Sequence, residues 1–251
     1  MAFLGFGRSD NLYFPGCFTS SFLNNKIENY RKILKKLDID FKIQKESICC
    51  GGFMEESGYE KELRATARNN NENFQEKGFK KIITNCPLCY NTLKDYNKLI
   101  PNWNIESEHI ILTILKKLRE DKSLIKNFFA DPVVYYDSCY LARYSNIIQE
   151  PRELLELLGY KLQELPKNRE ETRCSGACGG LLITNPELAN KIALKLIRTI
   201  KQRGIKKIVT ADARDYHHIK ENINKLNISP EELQVFEISD LICDSIGIKR
   251  E

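Results

Sequence analysis

Gly78-Phe79-Lys80-Lys81-Ile82-Ile83-Thr84-Asn85-Cys86-Pro87-Leu88-Cys89-Tyr90 is answered 126 residues later by Gly204-Ile205-Lys206-Lys207-Ile208-Val209-Thr210-Ala211-Asp212-Ala213-Arg214-Asp215-Tyr216. Six of the thirteen positions are identical and the apolar positions correspond. In the first copy Gly78 stands where a helix-closing glycine belongs, Lys80 to Thr84 reads as a short strand, and Pro87 suits the first turn of a helix. Cys86 and Cys89 therefore fall at a strand-to-helix junction. The second copy has Asp212 and Asp215 in their places. The repeat predicts a duplicated scaffold that keeps its thiols in one half and has lost them in the other.

Around this segment the chain alternates strand and helix signals. Asn11 to Phe14 is a β-prone run ending at Pro15-Gly16-Cys17, so Cys17 lies just past a strand. Apolar residues at helical spacing mark Asn25 to Leu37 and Tyr59 to Lys77, with Phe41 to Ile43 as a short strand between them. Ile48-Cys49-Cys50-Gly51-Gly52 is a loop, and a helix over His109 to Arg119 closes the first half. The second half restarts with Val133-Val134-Tyr135-Tyr136-Asp137-Ser138-Cys139. It continues with a helix from Pro151 to Gly159, an extended Lys161 to Leu165, and Cys174-Ser175-Gly176-Ala177-Cys178-Gly179-Gly180. Pro186 to Arg203 is an amphipathic helix, and a strand and helix follow from Val235. This order predicts an α/β fold of two pseudo-repeated halves, each a small, mainly parallel sheet flanked by helices, with domains at 1–122 and 131–251. Functional loops of such sheets gather at the carboxyl ends of the strands.

Composition sets the outer bounds. Hydrophobic residues make up 42% and charged residues 29% of the 251, as in ordinary folded domains. The net charge of +5 is spread over helix faces, which argues for solvated surface and against nucleic acid as a partner. The N-terminal MAFLGFGRSDN lacks the pattern of a signal peptide, and no run approaches the roughly 18 apolar residues of a membrane helix. The expectation is a cytoplasmic protein without a membrane span. In that compartment nine clustered cysteines favour metal or redox chemistry over structural disulfides.

Five of them spell C-x31-C-C-G-x34-C-x2-C: Cys17, Cys49, Cys50, Cys86 and Cys89. The last pair has the spacing that turns two thiolates toward one centre. Adjacent Cys49 and Cys50 bind one tetrahedral ion awkwardly but can reach separate irons, and five thiols exceed the four of a closed zinc site or an ordinary 4Fe–4S cluster. The pattern favours an unusual iron–sulfur centre. A structural zinc site and buried, metal-free cysteines are the competing readings.

At Phe14-Pro15-Gly16-Cys17, CCGG (49–52), TNCPLCY (84–90), YYDSCYLAR (135–143), EPRELL (150–155) and CSGACGG (174–180) the chain resembles the cysteine-rich CCG-domain family. That family includes the B-type subunit of heterodisulfide reductase and the iron–sulfur subunits of glycolate, lactate and glycerol-3-phosphate oxidoreductases. The resemblance implies a non-cubane 4Fe–4S cluster on the five cysteines, with zinc as an alternative in some copies. It further implies transfer of electrons between an iron–sulfur or flavoprotein partner and a thiol, disulfide or quinone-linked acceptor. Three functions follow: an electron-transfer subunit with one cluster, a catalytic disulfide or heterodisulfide reductase subunit, or a zinc-stabilised docking module. The second copy departs from the pattern, retaining Cys139 and Cys174 with Ser175, Asp212 and Asp215 elsewhere. Cys178 is an extra, where the family usually has glycine. Cys139, Cys174, Cys178, Asp212 and Asp215, with His217 or His218 nearby, are a candidate second metal site. A redox disulfide from Cys178 to Cys174 or Cys139, and a degenerate half kept as scaffold, are the other readings.

Remaining features are assigned to structure. Gly5-Phe6-Gly7 precedes the first strand and has Asp10 at the third glycine of a dinucleotide fingerprint, which excludes it. Cys243 reads as a core cysteine, His109 as a helix-start residue, His217 and His218 as exposed helix residues, and Asp137 and Arg143 as loop-fixing residues.

Overall fold

Short apolar runs bounded by lysine at one end and threonine at the other form the two central strands of the computed structural model, which describes residues 9–44 and 48–251. The chain divides into two units, Met1–Glu120 and Asp121–Glu251. Gly5-Phe6-Gly7 lies outside the described residues. No helix among those described is long and apolar enough to cross a membrane.

The first unit runs β1 (Asn11–Phe14), α1 (Cys17–Phe22), α2 (Asn24–Lys36), α3 (Gly52–Glu56), α4 (Glu60–Glu76), β2 (Lys81–Thr84), α5 (Pro87–Lys94), α6 (Tyr96–Leu99), β3 (Glu106–His109) and α7 (Ile110–Glu120). Its three strands are parallel in the order β1-β2-β3, with Phe14 beside Thr84 and Thr84 beside His109. Ile82 and Ile83 are fully buried, as a central strand covered on both faces requires. The strand expected over Phe41 to Ile43 is reduced to a single parallel bridge, Leu12 to Lys42. The helix expected from His109 starts one residue later, and the preceding Glu106-Ser107-Glu108-His109 is a strand that the sequence pattern does not announce.

The second unit runs β4 (Pro132–Tyr135), a π-helical turn (Tyr140–Tyr144), α8 (Glu150–Leu157), β5 (Lys161–Gln163), α9 (Leu181–Thr184), α10 (Pro186–Lys201), β6 (Lys207–Thr210), α11 (Ala213–Lys225), β7 (Gln234–Glu237) and α12 (Ile238–Ser245). Its parallel order is β5-β4-β6-β7. With the Lys42 bridge standing for β5, this is the order of the first unit. The register agrees as well: Leu12 and Tyr13 face Ile82 and Ile83, and the corresponding Val134 and Tyr135 face Ile208 and Val209. Both sheets are wholly parallel.

His109 ends β3 with its imidazole fully buried beside the Tyr90 ring. Burial lowers its pKa from the usual 6.5 to about 3, against a smaller opposing effect of the Asn85 main chain. The folded pKa lies below the unfolded one, so this contribution to stability is complete above about pH 6.5 and declines as pH falls toward 3. Between pH 7 and pH 5 a loss of about 2 kcal/mol is expected. Urea titrations at both pH values should show that loss shrinking in His109→Leu. An unchanged pH dependence in the variant would refute the assignment.

Candidate metal centre

The neighbouring parallel strands β1 and β2 deliver their following residues to the same edge of the sheet. Cys17 is the first residue of α1, reached through Gly16. Cys86 is the N-cap of α5, its Sγ accepting from the Cys89 N–H at 3.3 Å, while its own N–H donates to Thr84 Oγ1 at 3.1 Å. Asn85 ties the two junctions together: Tyr13 Oη donates to its Oδ1 (3.0 Å) and its Nδ2 donates to Thr19 Oγ1 (3.3 Å).

The Cys49–Cys50 loop comes from outside the sheet and is pinned by its main chain. Asn70 Nδ2, on α4, donates to Cys49 O at 2.9 Å and Tyr96 Oη, on α6, donates to Cys50 O at 2.8 Å. Asn70 also donates to Tyr96 Oη at 2.9 Å, so the two holders brace each other. Neither is singled out by the sequence, because a lone Asn or Tyr on a helix carries no motif.

These supports bring all five thiols into one string of contacts, from Cys17 to Cys49, Cys49 to Cys50, Cys50 to Cys89 and Cys89 to Cys86. Cys49 is held well below the usual thiol range, because Cys17 and Cys50 both donate to it, aided by the Gly51 N–H. Its neighbours Cys17 and Cys50 are pushed up, in each case chiefly by donating to Cys49 and by burial. Main-chain N–H groups of Gly51, Gly52 and Cys89 donate to Sγ of Cys49, Cys50 and Cys86 at 3.3, 3.4 and 3.3 Å. Gly16 leaves the space they enclose clear: its φ is +80°, and a Cβ there would lie 2.9 Å from Cys89 Sγ and 3.2 Å from Cys86 Cβ. An all-sulfur donor set with N–H bonds to the sulfurs fits an iron–sulfur group.

In the second unit the corresponding positions are filled by a polar network. Gly16 becomes Ser138, whose Oγ donates to Asp212 Oδ2 at 2.9 Å. Asp212 replaces Cys86 as helix cap, accepting the Arg214 N–H at 2.9 Å. The touching pair Cys50 and Cys89 becomes Ser175 and Asp215, joined by a 2.5 Å hydrogen bond. Of the motif's thiols Cys139 and Cys174 remain, and with the additional Cys178 their sulfurs all lie within 4.8 Å of one another. His218 is buried, not exposed as the helix pattern suggested, and its Nε2 bonds Ala189 O at 3.1 Å. Asp137 forms a buried bidentate pair with Arg152, Arg143 bonds Thr172 O, and Cys243 is in the core.

The cysteine-rich domain model of the CCG family matches twice, over residues 11–94 and 133–220, the two segments that carry the two constellations. An uncharacterized iron-sulfur protein of Methanocaldococcus jannaschii is 27% identical over 93% of this chain and 46% of its own length. The D-type subunit of the dihydromethanophenazine:CoB–CoM heterodisulfide reductase of Methanosarcina barkeri is 30% identical over 72% of this chain and 46% of its own length. A Bacillus subtilis protein named as a probable glycolate oxidase iron-sulfur subunit is 24% identical over 94% of this chain and 55% of its own. The chain thus spans about half the length of the curated relatives it matches. With two copies of the motif in tandem and a sulfur-lined centre in the first, the chain belongs to the cysteine-rich CCG-domain family of oxidoreductase-related iron–sulfur proteins.

Proposed function

We propose that this chain is an electron-transfer subunit of an oxidoreductase complex, similar to the B-type subunit of heterodisulfide reductase, with one non-cubane 4Fe–4S cluster on Cys17, Cys49, Cys50, Cys86 and Cys89. The observation that carries the reading is the contrast between the units. Where the first has a string of five thiols around a space kept open by Gly16, the second has hydroxyls and carboxylates bonded to each other. The string supports a multi-iron group over a single ion. Among the described residues, the group of three metal-ligating atoms lying within 4.8 Å of one another is in the second unit, not among these five. An iron–sulfur cluster supplies one-electron redox chemistry. The protein's part is to fix the thiols and to tune the potential through the three N–H donors and the burial of Cys50, Cys86 and Cys89. An iron–sulfur or flavoprotein subunit is the partner class.

Anaerobic purification with iron and labile-sulfide analysis tests the reading, together with EPR of the oxidised and reduced protein. About four irons and four sulfides per chain are expected. Near-zero iron with stoichiometric zinc at the five-cysteine site would sink it, and about twice the expected iron would sink the restriction to one cluster.

A further inference from the structure

The second unit holds a cavity of about 330 Å³ that electron transfer at the five cysteines leaves unused. One side is a single face of α10, where Ile192, Lys195, Leu196 and Thr199 recur at helical spacing. The segment Leu165 to Lys167, which follows β5, and Tyr136, Arg173 and Cys174 complete the lining. Tyr136 and Leu165 are buried, and Ile192 and Leu196 are half-buried. The hydroxyls of the lining are already engaged. Tyr136 Oη donates to Arg173 O at 2.6 Å, and Thr199 Oγ1 donates to Lys195 O at 2.9 Å. An occupant with polar groups along its body would find few partners, whereas an apolar body matches Leu165, Pro166, Ile192 and Leu196. The charge at the cavity is of one sign. Lys167, Arg173 and Lys195 are exposed there and the lining includes no acid. Among the described residues Lys167 is paired with Glu171, while Arg173 and Lys195 are in no ion pair.

We propose that this cavity binds a straight-chain aliphatic carboxylate of about eight to ten carbons, with its chain along α10 and its carboxylate at Arg173 and Lys195. From Ile192 to Thr199 the helix rises about 10 Å, roughly the reach of an extended eight-carbon chain. A planar ligand would draw on stacking, for which the lining offers Tyr136 alone. An alkyl chain instead meets aliphatic side chains along its length. The charged end is received without loss, because neither Arg173 nor Lys195 has an ion pair to give up. The site lies wholly within the second unit and uses none of Cys17, Cys49, Cys50, Cys86 and Cys89, so it stands or falls apart from the electron-transfer reading.

The test is calorimetric titration of the full chain, prepared anaerobically, with octanoate, decanoate and decanol as probes below their micellar concentrations. Decanoate is expected to saturate at about one per chain, with octanoate about tenfold weaker, because each buried methylene is worth roughly a factor of three to four. Decanol has the same chain without the charge and should bind about tenfold more weakly than decanoate. Lys195→Glu and Arg173→Glu alter exposed residues and so spare the fold. Each should weaken decanoate about tenfold and leave decanol unchanged. Leu196→Gln keeps a good helix former on α10 and should weaken both probes. Half-exposed Cys174 gives a local readout: saturating decanoate should slow its alkylation, followed by peptide mass spectrometry. The site is overturned if decanoate does not saturate, if decanol binds as tightly, or if neither charge reversal weakens decanoate. It is also overturned if Cys174 reacts at the same rate with decanoate bound, or if the chain co-sediments with anionic lipid vesicles in place of binding decanoate. None of these outcomes depends on the iron count that tests the first centre.

Discussion

Gly16→Ala is expected to reduce the iron of anaerobically purified protein from about four atoms per chain to less than one, with the second unit still folded. Two costs fall on the same methyl group. The backbone at Gly16 has φ +80°, a region that costs a residue with a Cβ roughly 1–2 kcal/mol. The Cβ would also stand 2.9 Å from Cys89 Sγ, in the space the sulfurs enclose, and the Cys89 thiol is buried in contact with Cys50 and Cys86, which leaves it little room to retreat. The control is Ser138→Gly, the reverse exchange at the matching position. It removes the hydrogen bond to Asp212, should cost about 1 kcal/mol, and should leave the iron count unchanged. Iron content and visible absorbance of the two variants, measured side by side, decide the matter. A full iron complement in Gly16→Ala would mean that the cluster lies elsewhere.

Asp137→Ala is expected to destabilise the second unit by about 3 kcal/mol, read as a shift in the urea midpoint. Both members of the Asp137–Arg152 pair are nearly inaccessible, at 2% and 4% side-chain exposure. Arg152 reaches Asp137 Oδ1 and Oδ2 at 2.7 and 2.8 Å, and the Arg169 N–H donates to Oδ2 at 2.8 Å. Removing the carboxylate leaves a buried guanidinium with Glu164 as its remaining anion, at 34% exposure a more solvated one. That places the loss toward the lower end of what breaking a buried pair costs. Exchanging both residues in Asp137→Ala/Arg152→Met should recover part of it, because the stranded charge goes too. A single-variant loss under about 1 kcal/mol would show that the pair is not what fixes the loop after β4.

Where sequence and structure agree, a local rule decided the outcome. Pro87 after Cys86, and Gly78 ahead of Lys81-Ile82-Ile83-Thr84, place a strand-to-helix junction that context does not move. The convergence of Cys17 with Cys86 and Cys89 follows from parallel strands ending at one edge. What was illegible depended on partners distant along the chain. Glu106-Ser107-Glu108-His109 has no apolar run and is a strand only because β2 offers it a ladder. His218 shares its helix with exposed residues, and its burial is set by the approach of Ala189 on α10. The loss of thiols in the second unit could be read directly, but their replacement by a bonded network could not. That required knowing that Cys50 touches Cys89 and that Gly16 faces Cys86.

That network also bears on how the two halves can diverge. Each exchange has its fellow: Ser175 with Asp215, Ser138 with Asp212. Restoring one sulfur at a time would strand a buried hydroxyl or carboxylate before any cluster could form. A return to sulfur therefore needs paired exchanges, the two positions of each hydrogen bond changing together.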